Sequence, residues 1–220
     1  ILQLTDVHLR SRKNESALET LVARTNALKP DLIALTGDIV DGPMDNLRAR
    51  LRPLGQLHAP DGVWVVLGNH EYYADAEACV TEFERLGFTV LLDEHRVIHR
   101  TDATLTIAGV TIPKHGMHGS KWSNPSDRLA RCDADPRVAL RGVPANSVKL
   151  LLAHQPESLI QARGLDFDLG LAGHVHGGGF FPWTWFTEHL ERYRSGLRRE
   201  GKAWIFVGRG IGTFGPKLRL

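Results

Sequence analysis

The chain has 220 residues, 42% of them hydrophobic and 24% charged, with a formal net charge of +2 at pH 7. That composition is ordinary for a globular protein of one long domain, and the near-neutral balance gives no support to a general nucleic-acid or polyanion binder. The two cysteines, Cys79 and Cys132, lie far apart outside any CxxC pattern, which argues against a disulfide scaffold, and no apolar stretch reaches the ~20 residues that span a bilayer.

The first apolar run, Ile1-Leu2-Gln3-Leu4-Thr5, reads as a strand that gives onto Asp6 and His8. After a polar loop, Ser16-Ala17-Leu18-Glu19 spells a capping box, and Leu18, Leu21, Val22, Thr25 and Leu28 fall on one helical face. Lys29-Pro30-Asp31 stops that helix and opens a second strand, Leu32-Ile33-Ala34-Leu35-Thr36-Gly37, which ends at Asp38 with Asp41 after it. Strand, helix, strand at this spacing is a βαβ unit, so the first two strands are expected to be parallel.

A second helix is expected over residues 45–57, broken or kinked at Pro53. Val63-Trp64-Val65-Val66-Leu67-Gly68 is a third strand that gives onto Asn69 and His70, and a third helix follows over residues 75–86, ending at Gly87. Residues 88–92, 96–99 and 104–112 read as short strands without helices between them, a departure from α/β alternation that suggests an antiparallel region. Residues 113–125 read as a loop over the site edge, and residues 127–140 as a weak helix around Pro136. Buried strands return at 148–152, which gives onto His154, and at 167–171, which gives onto His174 and His176, with a helix over 157–162 between them. Residues 182–193 form an aromatic, partly helical segment, and a final hairpin turns at Glu200-Gly201.

Five short apolar runs thus all end in ligand-type residues. Such runs suit strands buried on both faces, and in α/β sheets ligands gather beyond the carboxyl ends of the strands. One sheet edge should therefore collect carboxylates, an amide and several imidazoles, which we read as a two-metal site. A divalent pair roughly 3.5–4 Å apart needs a bridging anion, and Asp38 offers two carboxylate oxygens. Asp6 and His8, two residues apart, can bind one metal if the chain bends past the strand end. His174 and His176 can reach different metals if the loop turns between them. Asn69 adds an amide oxygen and His154 an imidazole. Mixed oxygen and nitrogen donors suit Mn, Zn or Fe, and a shared water would be activated as hydroxide. His70, next to Asn69, should point elsewhere, as proton donor to a leaving oxygen or as stabiliser of phosphoryl charge.

Asp6-Val7-His8, Gly37-Asp38-Ile39-Val40-Asp41, Gly68-Asn69-His70-Glu71, Ala153-His154 and Gly173-His174-Val175-His176 resemble, in order, the five motifs of the calcineurin-like metallophosphoesterases. Leu28-Lys29-Pro30-Asp31, His154-Gln155-Pro156, Phe181-Pro182-Trp183 and Gly208-Arg209-Gly210-Ile211-Gly212 look like the bacterial subgroup in which the domain often follows membrane-spanning or export segments. The resemblance implies an α/β (α+β) sandwich of two mixed β-sheets packed face to face and flanked by helices, in one domain over residues 1–220. It also implies that Asp6, His8 and His176 hold one metal, that Asn69, His154 and His174 hold the other, and that Asp38 bridges. The substrate would be a phosphate-ester small molecule or a lipid or cell-envelope phosphate. Any membrane segment would lie outside this chain, which opens without an initiating Met and reads as an excised domain. Family members of this kind usually carry Gln where Gly179 stands, on the substrate side.

Other residues carry two readings. Asp41 is a candidate partner for a metal-bound histidine. Tyr72 and Tyr73 can shape the pocket or pack in the core. Arg209 can face phosphate or form a surface salt bridge. His115 and His118 can line substrate or face solvent. Gly210-x-Gly212-x-x-Gly215 spells a dinucleotide fingerprint but has no following βαβ unit, so we read it as a turn beside the site. Trp183, Trp185 and Phe186, followed by Arg192, Arg194, Arg198, Arg199 and Lys202, suit either a membrane-surface contact or a half-buried helix with a solvated basic face. Two competing functions remain: a non-catalytic metal-binding interaction module of the same fold, and a nuclease, which the charge balance disfavours.

Overall fold

A computed structural model of the chain describes residues 1–10, 15–112, 129, 134–178 and 193–212. Strands β1 (Leu2–Leu4), β2 (Ile33–Thr36), β3 (Val63–Val66) and β4 (Thr89–Val90) form a four-stranded sheet in that order, parallel throughout. Helix α1 (Glu15–Ala27) joins β1 to β2. Helix α2 (Met44–Leu51) and a 3-10 turn (Arg52–Gln56) join β2 to β3. Helices α3 (Asn69–Ala74) and α4 (Ala76–Arg85) join β3 to β4.

The second sheet has six strands. They are β5 (Glu94–His99), β6 (Thr104–Gly109), β7 (Val148–Leu152), β8 (Leu169–Ala172), β9 (Gly196–Glu200) and β10 (Ala203–Val207), in spatial order β5-β6-β7-β8-β10-β9. Its two outer pairs are antiparallel and its three inner pairs parallel. Helices α5 (Pro136–Ala139) and α6 (Pro156–Gln161) belong to this half.

Side-chain alternation along the strands builds three apolar layers. Ile33, Leu35, Val63 and Val65 pack with Leu18, Val22, Leu47, Leu51 and Phe83 of the helices. Leu32, Ala34, Trp64 and Val66 point the other way and meet Ile107, Leu150, Leu152 and Leu171 of the second sheet. On the far side, Ala108, Leu151, Ala172, Ile205 and Val207 pack with Ala139, Leu159 and Ala162. Both faces of the inner strands are covered, which is why these runs are almost continuously apolar. Phe83 is the largest fully buried side chain of the first layer and stacks on Phe88 with centroids 6.4 Å apart. Phe83→Ala should therefore cost about 3–5 kcal/mol of stability, read from the denaturant midpoint at unchanged m-value.

Several expectations change in detail. Helix α1 already includes Ser16, so the Ser16–Glu19 pattern lies inside the helix and does not cap it. Pro53 ends α2, and the chain continues as the 3-10 turn. The expected third helix is α4, capped by Asp75, whose side chain accepts from Ala78 N at 3.1 Å. The preceding helix α3 was not visible as a periodic run, because it is six residues long and carries site chemistry. Strand β4 joins the parallel sheet, and the antiparallel region begins only with β5 and β6. Of the weak helix expected over 127–140, residues 136–139 form a single turn, with Asp135 accepting from Arg137 N, and residues 127–128 and 130–133 lie outside the described residues. The 113–125 loop, most of the 182–193 segment, Cys132, His115, His118, Gly179 and Gly215 lie outside the described residues. Cys79 is buried.

Candidate metal centre

The carboxyl ends of β1, β2, β3, β7 and β8 converge. The loops after β1 and β2 stay paired beyond the strands, through His8 N to Asp38 O at 2.9 Å, Leu9 N to Ile39 O at 2.9 Å and Asp41 N to Leu9 O at 2.9 Å. Eight non-glycine residues among those described have positive φ, and five are Asp6, His8, Asp38, His174 and His176. Left-handed backbone costs a branched or bulky residue about 1–3 kcal/mol, and such strain collects at functional sites. Here it supplies the bend that aims Asp6 and His8 at one point and lets His174 and His176 diverge.

Three groups bring ligand atoms within 4.8 Å of one another: Asp6, His8 and His176; Asp38, His154 and His174; and His8, Asp41 and His70. In the first, His8 Nε2 lies 2.9 Å from His176 Nε2, and Asp6 Oδ1 lies 3.4 Å from His176 Nε2. In the second, His154 Nδ1 lies 2.9 Å from the Thr36 carbonyl, which can only accept, so Nδ1 carries a proton. Around the opposite nitrogen, Nε2, stand Asp38 Oδ2 at 3.3 Å, Asn69 Oδ1 at 3.1 Å and His174 Nδ1 at 3.1 Å. Lone pairs converging in this way require a proton or a cation between them. Asp38 Oδ2 faces both groups, since it is also 3.8 Å from His8 Nε2. Its other oxygen accepts from His70 N at 2.9 Å.

The electrostatics divide the imidazoles. Burial works against charge on His154, but the adjacent Asp38 carboxylate overcomes it and holds the imidazole well above its usual range. Burial lowers His8 to about 4 against the pull of Asp38, and lowers His174 to about 4 with help from His154. These two imidazoles are held neutral at pH 7, the form in which an imidazole can ligate a metal.

His70 stands beside the centre. Its Nε2 is 3.9 Å from Asp38 Oδ2, and its Nδ1 is 3.1 Å from Asp41 Oδ1. Asp41 is paired in turn with the Arg10 guanidinium. Burial would raise the Asp41 carboxyl, but Arg10 and His70 pull it below its usual range. Tyr73, 46% exposed, presents its ring to His70 at 5.5 Å, whereas Tyr72 is buried in the first apolar layer. Arg209 is exposed, donates to Ser195 Oγ at 3.2 Å and lays its stem near Gly177. The glycine-rich turn after β10 does run beside the site, with Gly212 N donating to Asp6 O at 2.6 Å.

Sequence reading missed three supports. Thr5 Oγ1 lies 2.6 Å from Asp6 Oδ2, Arg10 holds Asp41, and Glu71 lies beneath Asp38. Thr5 and Arg10 carry no pattern of their own. Glu71 was read only as the end of a motif, although a carboxylate three residues past Gly68 in a helix's first turn is placed to accept backbone N–H groups. Two glycines are fixed by close approach, since a Cβ at Gly68 would overlap Asp38 and one at Gly173 would overlap Thr5.

The profile of the calcineurin-like phosphoesterases matches residues 1–178. The chain belongs to that family. It is 33% identical over 224 residues to an uncharacterized metallophosphoesterase of Aquifex aeolicus, covering 100% of this chain and 80% of the relative. It is 30% identical over 235 residues to a transmembrane protein with metallophosphoesterase domain from Danio rerio, covering 100% of this chain and 50% of the relative. The chain thus spans about half the length of that relative. Among solved structures, the phosphopantetheinyl hydrolase of Mycobacterium tuberculosis superposes with TM-score 0.61 at 14% identity, covering 96% of this chain and 88% of that one. The NAD nucleotidase of Haemophilus influenzae superposes with TM-score 0.64 at 16% identity, covering 94% and 49%. At these identities the two structures speak for the fold. Calcineurin-like phosphoesterases generally use divalent metal ions, and the clusters above could bind them. No helix among the described residues is long and apolar enough to cross a membrane.

Proposed function

We propose that residues 1–220, read as one metallophosphoesterase domain, hydrolyse phosphomonoester or phosphodiester bonds at a dinuclear centre. Asp6, His8 and His176 would hold one cation, Asn69, His154 and His174 the other, and Asp38 would serve both. The observation that carries this reading is Asp38 Oδ2, which faces His154 Nε2 at 3.3 Å and His8 Nε2 at 3.8 Å. When bound, the pair supplies Lewis acidity toward phosphoryl oxygens and an activated water. The mixed oxygen and imidazole donors suit Mn, Zn or Fe.

The protein's own groups do the rest. His70, oriented by Asp41, is placed to give a proton to the leaving oxygen or to hold a phosphoryl oxygen. Arg10 keeps Asp41 ionised and aligned. Phosphate-ester small molecules, including lipid or cell-envelope phosphates, are the proposed substrates.

Elemental analysis after loading with Mn, Zn or Fe, together with an ester panel, tests this. The panel should include an aryl phosphomonoester, an aryl phosphodiester, a nucleotide and a lipid phosphate. The expected result is about two cations per chain and turnover of at least one ester class. Metal uptake without turnover on any ester would point instead to a non-catalytic binding module.

A further inference from the structure

The Glu71 side chain is fully buried. It is not among the proposed metal ligands, yet its two oxygens accept four backbone N–H groups. Oε2 accepts from Asp38 at 2.8 Å and Gly68 at 2.7 Å, and Oε1 from Ile39 at 2.7 Å and Val40 at 3.0 Å. The first three donors in chain order are consecutive, Asp38 to Val40. They can all point inward because Asp38 takes a left-handed conformation, with φ 54. Gly68 comes from a different segment, the end of the β3 run, immediately before Asn69. One carboxylate therefore clamps the loop that carries Asp38 to the loop that carries Asn69 and His70. Burial and the adjacent Asp38 charge push Glu71 up to about 7, against the pull of the Val40 and Gly68 donors.

The Asp6 side of the centre is held by other means. The Asp6 carboxylate has Thr5 Oγ1 at 2.6 Å and accepts from His174 N at 3.0 Å, and its backbone is tied to Gly212. It meets the other half through His174 N, through His8 Nε2 at 3.8 Å from Asp38 Oδ2, and through backbone bonds between the loops after β1 and β2, and none of these contacts is made by the Glu71 side chain. The two halves thus touch, yet the four donors on Glu71 all come from the segments that carry Asp38, Asn69 and His70.

We propose that Glu71 is a positioning residue that selectively supports the cation site of Asn69, His154 and His174 together with the shared Asp38, while the site of Asp6, His8 and His176 stands without it. The proposal rests on the dinuclear reading above. In Glu71→Gln an NH2 replaces one acceptor oxygen and faces two backbone donors, so Asp38 and Gly68, or Ile39 and Val40, lose their partner. The shape stays almost the same, and only the acceptor pattern changes.

The test is a Mn(II) titration of metal-free wild type, E71Q and E71D by calorimetry. Electron paramagnetic resonance of the loaded proteins then reports whether two ions are close enough to couple, and circular dichroism confirms that each variant is folded. The expected result for E71Q is one cation bound about as in wild type and a second bound about 10–100-fold more weakly, with the coupled two-ion signal diminished. E71D keeps the charge on a shorter arm and falls between the two, and it carries the test if E71Q does not fold. A wild-type chain that takes up fewer than two ions overturns the dinuclear reading beneath the proposal. Wild type binding two ions, with E71Q binding both equally well or losing both in parallel, overturns the role of Glu71 alone.

Discussion

Asp38→Asn should abolish most hydrolysis, by about 10³-fold or more, which is roughly 4 kcal/mol of barrier. It should also lower cation content. Asp38 is 2% exposed, and its Oδ2 faces both halves of the candidate centre. The amide fits the same space but removes the negative charge. Its oxygen can stay on the His70 N–H, and then its NH2 points at His8 and His154, where a donor opposes a cation. If it flips, the His70 N–H loses its acceptor. Either way the two proposed cations would lose a shared anion in a buried setting where charge is poorly screened. Elemental analysis alongside turnover checks this. A D38N protein that retains two cations and full turnover would remove Asp38 from the centre.

His70→Ala should separate the two readouts that Asp38→Asn moves together. Turnover should fall by about 10²–10⁴-fold, the usual range for loss of a positioned proton donor or charge stabiliser, while cation content stays near wild type. The geometry supports the split. The His70 ring contacts Asp38 only at 3.9 Å through Nε2, and its closer partner is Asp41 at 3.1 Å. Its backbone N–H, which does hold Asp38, survives in the alanine variant. Leaving-group dependence then divides the two roles. If His70 is a proton donor, H70A should lose far less on an ester whose alcohol leaves readily as an anion than on an alkyl ester. If it stabilises phosphoryl charge, the loss should be similar on both. Parallel loss of turnover and cations would show that His70 belongs to the metal shell.

Much of this architecture was legible in the residues. The apolar runs marked the buried strands because both faces of each are covered, and period-2 alternation is absent for that reason. The same runs ended at Asp6, Asp38, Asn69, His154 and His174, and the fold brings those ends together. Helix α3 and the parallel placement of β4 were not legible. The first is too short to show a period. The second is two residues long, and its pairing partner β3 lies more than twenty positions away. At the site, side chains were readable as chemistry but backbone donors were not. Arg10 acts by meeting Asp41 from another segment, Thr5 by a bond to its neighbour Asp6 that no pattern marks, and Glu71 mainly by accepting from Asp38, Ile39 and Val40, more than thirty positions away.

Asp6, His8, Asp38 and Asn69 ride on one sheet, and His154, His174 and His176 on the other. The two sets are held apart by the middle apolar layer, where Leu32, Ala34 and Trp64 meet Leu150, Leu152 and Leu171, and tied together by bonds such as His174 N to Asp6 and His154 Nδ1 to the Thr36 carbonyl. A methyl group gained or lost in the middle layer should shift the ligands of one sheet against those of the other, whereas the same change in the helix-facing layers, at Phe83 for example, should act on stability first.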